Sequence, residues 1–170
     1  MKKIVKILAV VSLLAIATST FSSCSVVRYN AKIYSDIGEK ILPSFRENSP
    51  IYNKYNMSAP ESRSFIVADE STYNSIFEET AFDVDFDKEM LLVCTFSDVY
   101  KRRYYVDRVS LKENNLNVYI RIKSAWPGVK DACQPYQRWL VVKMRSTDID
   151  SVTFYEWKFD VYNGGKYEKI

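Results

Sequence analysis

Runs of apolar and alternating residues predict a β-rich domain between residues 63 and 170. Met90 to Phe96 is an almost continuous apolar run of strand length, which is typical of a central strand. Residues 116–123 alternate between aliphatic side chains and polar or aromatic ones, which predicts a strand with one solvent-facing side. Further strands are predicted at 64–68, 104–111, 136–145, 152–162 and 166–169, the last two joined by a hairpin at Asn163-Gly164.

One amphipathic helix interrupts this pattern. Asp69 is a favourable N-cap, and Tyr73, Ile76 and Phe77 recur with helical spacing, so a helix is predicted from there to about Thr80. Six or seven strands with hairpin links and one short helix indicate an α+β fold, a mainly antiparallel β-sheet domain.

The segment 24–62 is predicted to be a flexible tether ahead of the domain. Ile33, Ile37 and Ile41 recur every four residues and predict a short helix that ends near Pro43. The stretch that follows is rich in Asn, Ser and Pro, which favours turns over a packed core. The alternative is that part of this segment packs on the domain as an edge strand.

Residues 1–23 have the features of a secretory signal peptide. Lys2, Lys3 and Lys6 precede an apolar stretch from Ile7 to Ala17. At about 1.5 Å per residue, that stretch spans only about half of the hydrocarbon core of a bilayer. It is therefore predicted to direct export and to be removed, and not to anchor the chain as a transmembrane helix.

Cys24 is the predicted lipid attachment site. The sequence Phe21-Ser22-Ser23-Cys24 resembles a bacterial lipoprotein signal, in which small residues precede a cysteine that is acylated and becomes the mature N-terminus. This predicts a protein of the bacterial cell envelope, anchored by lipid at a membrane surface without spanning the membrane. The alternative is ordinary cleavage near Ser19, which would leave Cys24 as a free thiol.

Charge and composition narrow the classes of function. The 24 basic and 21 acidic side chains become 21 of each once the three leader lysines are removed. A neutral domain with interspersed charges lacks the concentrated positive surface that nucleic-acid binding needs, so no nucleic-acid partner is expected. The sequence has no histidine, which excludes Ser-His-Asp and Cys-His catalysis and histidine-ligated zinc. Without a catalytic or cofactor-binding motif, we expect a non-enzymatic protein with no cofactor.

The acidic run at 83–87 does not indicate a bound calcium ion. The Asp-x-Asp-x-Asp pattern at 83–87 begins like an EF-hand loop, but Lys88 and Cys94 stand where that loop needs glycine and glutamate.

With Cys24 acylated, Cys94 and Cys133 remain as a pair that an oxidising compartment would allow to form a disulfide. The alternative for Cys94, inside its apolar run, is a small buried thiol.

Several short motifs between residues 64 and 145 resemble the C-terminal domain of the PrcB-like lipoproteins. The matching pieces are SFIVADESTYNSIF from Ser64, Val84-Asp85-Phe86 ahead of Met90, and Gln134-Pro135-Tyr136 ahead of LVVKM. That family is associated with stabilising a secreted protease complex, so the resemblance implies a non-enzymatic, partner-binding lipoprotein. One departure is that Lys101-Arg102-Arg103-Tyr104 stands where the family has a Thr-Gly-Gly-Tyr turn, which removes the conformational freedom of both glycines.

The first candidate partner-binding cluster is a basic turn. Tyr100, Lys101, Arg102, Arg103 and Tyr104 set three adjacent positive charges between tyrosines at a predicted hairpin end. Arginine and tyrosine are enriched in interface hot spots, so this turn is predicted to contact a partner. The alternative is a solvated turn whose tyrosines lie over the sheet.

The second candidate is the long loop between residues 125 and 135. Trp126, Gln134, Pro135 and Tyr136 would form a ledge for an extended peptide, whereas the alternative is a crossover whose Trp126 covers the end of the sheet.

Two hypotheses of function follow. The main one is an envelope lipoprotein that binds and stabilises a protein partner, such as a secreted or surface protease complex. The alternative is a surface lipoprotein that binds a glycan or a small molecule. A flat tyrosine–arginine surface would favour the first hypothesis, and a convergent aromatic pocket would favour the second.

Overall fold

The computed structural model describes residues 30–35, 37–48, 62–123, 129–130 and 136–170. The strands are β1 Lys32–Ser35, β2 Arg63–Val67, β3 Glu89–Asp98, β4 Tyr100–Lys101, β5 Tyr104–Lys112, β6 Asn115–Ile122, β7 Val129–Lys130, β8 Tyr136–Arg145, β9 Ser151–Asp160 and β10 Gly164–Lys169. The α-helices are α1 Pro43–Asn48 and α2 Glu70–Ile76, and Gly38–Lys40 forms a 3-10 turn. None of the helices in these ranges is long and apolar enough to cross a membrane. The predicted leader 1–23 and Cys24 lie outside the described residues.

The strands form two four-stranded sheets and a two-stranded ribbon. Sheet 1 has the order β1-β8-β3-β2, sheet 2 has the order β10-β9-β6-β5, and β4 pairs with β7. Every described pairing is antiparallel except that of β6 with β9. The exception arises because the chain leaves the end of β8 and starts β9 beside the start of β6, where Ser151 pairs with Asn115. The predicted β-rich, mainly antiparallel fold is confirmed.

Sheet 1 is buried on both faces, which explains the continuous apolar run of β3. Leu92 and Cys94 point into the core between the two sheets, whereas Leu91 and Val93 point to the layer that contains α2. Successive side chains of a strand alternate between faces, so a strand covered on both sides is apolar throughout. Sheet 2 packs against the core with its inner face only, and Val118 of β6 is one of the side chains on that face.

Residues 32–35 and 37–48 belong to the domain, so the predicted tether is wrong there. β1 extends sheet 1 by pairing with β8, as the edge-strand alternative expected, and Ile37 and Ile41 are buried in the same layer as α2. The predicted helix over the isoleucines is replaced by β1 and the 3-10 turn. Pro43 begins α1 where the pattern predicted a helix end, because the first turn of a helix does not need the missing N–H.

The predicted N-cap at Asp69 is confirmed. Its Oδ1 accepts the backbone N–H of Thr72 at 2.7 Å, and this hydrogen bond holds the pKa of the Asp69 carboxyl below its usual value. The helix ends at Ile76 and not at Thr80, because Phe77 takes an extended conformation and forms a β-bridge with Ile41.

The sheets have a proximal end, where the described chain begins, and a distal end. Asn30 lies at the proximal end, beside Glu89 and Arg145. At the distal end, Asp98 pairs with Tyr136. A ten-residue strand such as β3 separates the two ends by about 33 Å. The predicted basic turn, which follows Asp98, and Tyr136 of the second predicted cluster adjoin the distal end.

Candidate functional site

The predicted basic turn is divided by the fold. Tyr100 and Lys101 form β4, which pairs with β7, and Tyr104 begins β5 with its ring in the core between the sheets, only 7% exposed. Arg103 is exposed, and its carbonyl accepts the Lys123 N–H at 2.7 Å. The tyrosines and basic side chains predicted to form one binding surface therefore do not share one.

Arg102 turns inward and lies between two carboxylates at the distal end. Its Nε lies 3.1 Å from Oδ2 of Asp98, without hydrogen-bond geometry, and its Nη1 lies 3.9 Å from Oε1 of Glu156. The three side chains are between 13% and 22% exposed. The Arg102 guanidinium also lies 5.0 Å from the centre of the Tyr100 ring. Arg102 is thus engaged within the domain, as the charge that balances two partly buried acids.

Glu156 occupies an inward position of β9 in line with Val152 and Phe154. Burial raises the pKa of the Glu156 carboxyl, and the nearby Arg102 opposes that rise. The cluster borders an open cleft of about 780 Å³ at the distal end, which is also lined by Phe96 and Phe159. A carboxyl placed among aliphatic positions costs free energy when it ionises, so we expect the stability of the domain to depend on the charges of this cluster.

Replacing Glu156 by Gln is expected to stabilise the domain at neutral pH. The folded-state pKa is raised, so this carboxyl costs folding free energy progressively as the pH rises above 4.5, its ordinary pKa. Gln removes that cost, and the gain in free energy of unfolding should fade as the pH falls towards that value. Urea unfolding of both proteins across this range measures the difference. A Gln variant that is less stable at neutral pH would show that the attraction to Arg102 outweighs burial.

Cys94 is a free and fully buried thiol, which agrees with the buried-thiol alternative. Its predicted disulfide partner, Cys133, lies outside the described residues. Burial raises the pKa of the Cys94 thiol to about 12, so the sulfur stays protonated at neutral pH and is a poor nucleophile. Within the described part of the chain, no three acidic or cysteine side chains are grouped to hold a metal ion.

Only part of the second predicted cluster lies among the described residues. Trp126, Gln134 and Pro135 lie outside the described residues. Tyr136 opens β8, where its backbone pairs with Asp98 at the distal end. Binding of a peptide by this loop therefore stays a prediction.

The outer face of sheet 2 carries arginine and aromatic side chains that the sequence pattern alone does not bring together. Strand alternation turns every second side chain of β5, β6, β9 and β10 away from the core, and the register sets the arginine and aromatic ones among them in two neighbouring rows across the strands. One row is Tyr105, Arg121, Trp157 and Tyr167, and the other is Arg108, Tyr119, Tyr155 and Lys169. We call these residues, together with Asp107, the arginine–aromatic face.

The aromatic rings of this face contact one another across the strands. Tyr119 stacks on Tyr155 with ring centres 5.0 Å apart and planes 15° apart. Tyr167 meets Tyr119 edge-on at 4.9 Å and Trp157 at 5.0 Å, which joins the two rows. The Arg108 guanidinium lies 4.2 Å from the centre of the Tyr119 ring. Since each such contact contributes about 0.5–1.5 kcal/mol, the side chains are held in place without a partner.

A hydrogen-bonded group fixes the other arginine of the face. Asp107 accepts a short hydrogen bond from the Tyr167 hydroxyl, and Arg121 Nε donates to the Tyr167 oxygen at 2.9 Å. Arg121 Nε also lies 3.5 Å from the Asp107 carboxylate, and its guanidinium lies 4.5 Å from the Trp157 ring centre. The charge and the Nε–H donor of Arg121 are therefore used within the face.

A β-bulge in β5 decides which side chains reach this face. The register with β6 shifts between Val106 and Arg108, so Asp107 is an extra residue on the β5 side. Strict alternation would turn Arg108 inward, whereas the bulge turns it outward and returns Val109 to the core. The signal in the sequence is the spacing of Val106 and Val109, which encloses two charged residues and breaks the period of two.

Replacing Gly165 by Ala is expected to disrupt the arginine–aromatic face. An added Cβ would lie 2.0 Å from Cζ2 of the Trp157 indole, so the ring must leave its contacts with Arg121 and Tyr167. Such overpacking costs about 1–3 kcal/mol. Gly38→Ala is the control, because an added Cβ there meets nothing within 4 Å. Urea unfolding and tryptophan fluorescence measure the change, and equal behaviour of both variants would show that the indole does not rest on Gly165.

Comparisons with known proteins leave the site without an assignment by similarity. A scan of protein-family models, a search of curated proteins and a search of solved structures find no significant match. The resemblance to the PrcB-like lipoproteins therefore stays a prediction from short motifs.

Proposed function

We propose that this chain is a lipid-anchored protein of the bacterial cell envelope that binds and stabilises a protein partner and catalyses no reaction. The observation that carries the proposal is the arginine–aromatic face, an array of arginine, tyrosine and tryptophan side chains on the outside of sheet 2. Arginine, tyrosine and tryptophan are enriched among the few residues that supply most of the binding energy in protein interfaces. Side chains that are already ordered also lose less conformational entropy on binding.

The width of the face favours a protein partner over a small ligand. Four strands about 4.8 Å apart make a surface about 14 Å wide, whereas small molecules bind in concave sites. The alternative ligand, a glycan or small molecule, is favoured by the distal cleft of about 780 Å³, which Trp157 and Phe159 line. We prefer the protein partner because the contacts among Tyr119, Tyr155 and Tyr167 lie on the outer face of sheet 2 and not in that cleft.

Binding alone is sufficient to stabilise a partner. A ligand that binds only the folded form adds about 2.7 kcal/mol to its stability at a hundredfold excess over Kd. The resemblance to the PrcB-like lipoproteins supports a secreted or surface protease complex as that partner. No catalytic group is needed for this role.

The position of Cys24 supports presentation of the face away from the membrane. Cys24 precedes Asn30 by six residues, which span at most about 20 Å when extended. Asn30 lies at the proximal end of the sheets, so a lipid on Cys24 would hold that end near the bilayer. The strands of sheet 2 then lead away from the membrane and leave their outer face open to a partner.

Photo-crosslinking from the centre of the face tests the proposed function. A photoreactive phenylalanine analogue replaces Tyr155 in the full chain, and the same analogue at Asn74, exposed on α2, is the control. Irradiation of intact cells is expected to yield one discrete protein adduct from position 155 and none from position 74. A carbohydrate adduct would favour the glycan alternative, and the same adducts from both positions would contradict the proposal.

A further inference from the structure

We infer that the partner presents a carboxylate side chain to the arginine–aromatic face and that Arg108 binds it. The inference rests on the proposed function, since it concerns the same face, and it adds the chemistry of the partner. The partner segment is acidic, with an Asp or Glu next to an aromatic or apolar residue that covers the tyrosines.

The two arginines of the face differ in what they already bind. Arg121 donates to Tyr167 and lies beside the Asp107 carboxylate. Arg108 is exposed and lies over the rings of Tyr119 and Tyr167, at 4.2 and 5.4 Å, but has no ion pair within the described residues. A ring contact does not use the N–H donors at the edge of a guanidinium, so Arg108 retains its capacity for a bidentate hydrogen bond.

The charge of the face is complementary to an acidic partner. Arg108, Arg121 and Lys169 oppose a single carboxylate, Asp107, which already accepts the Tyr167 hydroxyl. Lys169 is exposed and, like Arg108, has no ion pair among the residues described. The face therefore has an excess of positive charge, and the charges of Arg108 and Lys169 have no ion-pair partner among the described residues.

The arrangement favours a carboxylate on a protein over the other common anions. Recognition of anionic lipids uses clusters of about 4–8 basic residues, and nucleic-acid binding uses an extended basic stripe. Here three basic side chains are interleaved with rings, and the stacked pair of Tyr119 and Tyr155 lies next to Arg108. A carboxylate beside an aromatic or apolar side chain matches both parts of this surface.

Peptide binding to the full chain, purified in detergent, tests this inference. The probes are capped peptides in which Tyr alternates with Glu, with Gln or with Lys, and amide chemical shifts in NMR spectra report where each binds. We expect the Glu peptide to shift the amides of Arg108, Tyr119 and Tyr155, the Gln peptide to bind about tenfold more weakly, and the Lys peptide not to bind. A charge-assisted hydrogen bond is strong enough for that ratio.

Variants of Arg108 separate the guanidinium from general charge. Arg108→Gln is expected to bind the Glu peptide about tenfold more weakly, with Arg108→Lys in between, because an ammonium lacks the bidentate geometry. Arg145→Gln, an exposed arginine at the proximal end, is the control and should bind as the unchanged protein does.

Three results would overturn the inference. They are an unchanged affinity of Arg108→Gln for the Glu peptide, equal binding of the Lys peptide, or inorganic phosphate shifting the same amides as strongly as the Glu peptide. Crosslinking then separates this failure from failure of the proposed function. If the adduct from position 155 persists in Arg108→Gln, the face binds a protein without this carboxylate, whereas absence of the adduct from the otherwise unchanged chain refutes the protein partner itself.

Discussion

A chain that begins at Arg63 is expected not to fold. The hydrophobic pattern places the start of the domain there, but the structure adds β1, Ile37 and Ile41 ahead of it. Burying two isoleucines contributes about 1.5–3 kcal/mol each, which is a large part of the about 5–15 kcal/mol that stabilises a typical domain. Loss of β1 also leaves one edge of β8 without its backbone partner.

Backbone hydrogen bonds join the same segment to α2 and the turn after it. The Leu42 N–H donates to the Ile76 carbonyl at 2.9 Å, and the Glu78 N–H donates to the Lys40 carbonyl at 3.0 Å. The Lys40 ammonium donates to the Ala81 carbonyl at 2.6 Å. Truncation leaves these buried or partly buried groups without partners, which adds to the loss of apolar contact.

Circular dichroism and urea unfolding test this expectation. The control is a chain that begins at Asn30, which keeps every described residue and should unfold cooperatively. A chain from Arg63 that unfolds cooperatively at the same urea concentration would show that residues 32–48 add nothing to stability.

Strand positions could be predicted because each face of a sheet leaves a local pattern. The run at Met90 and the alternation from Leu116 give β3 and β6 to within a residue or two. The helix predicted from the isoleucines at 33, 37 and 41 is wrong because a spacing of four residues also suits a strand followed by a turn, whose side chains contact two different cores. Ile33 packs against the core between the sheets, and Ile41 packs in the layer of α2. Pairing of β1 with a strand about a hundred residues away has no local signal.

The arginine–aromatic face could not be predicted for the same reason. The sequence pattern places Arg121 and Tyr119 on the solvent-facing side of one strand, but their partners Trp157 and Tyr167 lie on strands that follow much later in the chain. The register and the bulge at Asp107 bring them together, and both depend on the whole fold. The basic turn drew attention because its charges are adjacent in sequence, although the fold separates them.

Replacing Arg102 by Met is expected to destabilise the domain by about 2–3 kcal/mol. Removing one member of a fully buried ion pair costs about 3–5 kcal/mol, and Arg102 keeps 22% exposure, which lowers the figure. Arg138 donates to the Asp98 carbonyl at 3.3 Å and remains as a cation near Asp98, so the cost falls mainly on Glu156. Methionine keeps much of the apolar stem of arginine, which limits the loss of packing.

The pH dependence and a matched control identify the cause of this loss. Arg103→Met should change stability by no more than about 0.5 kcal/mol, because Arg103 is exposed. The loss of stability in Arg102→Met should become smaller as the pH falls. The pKa of Glu156 is raised in the folded state, so acid protonates this carboxyl in the folded protein before it does so in the unfolded chain, and the unbalanced charge is removed. Adding Glu156→Gln to Arg102→Met should recover most of the lost stability at neutral pH. Equal stability of the Arg102 and Arg103 variants would instead show that both side chains are solvated, and would return the basic turn to the candidates for partner binding.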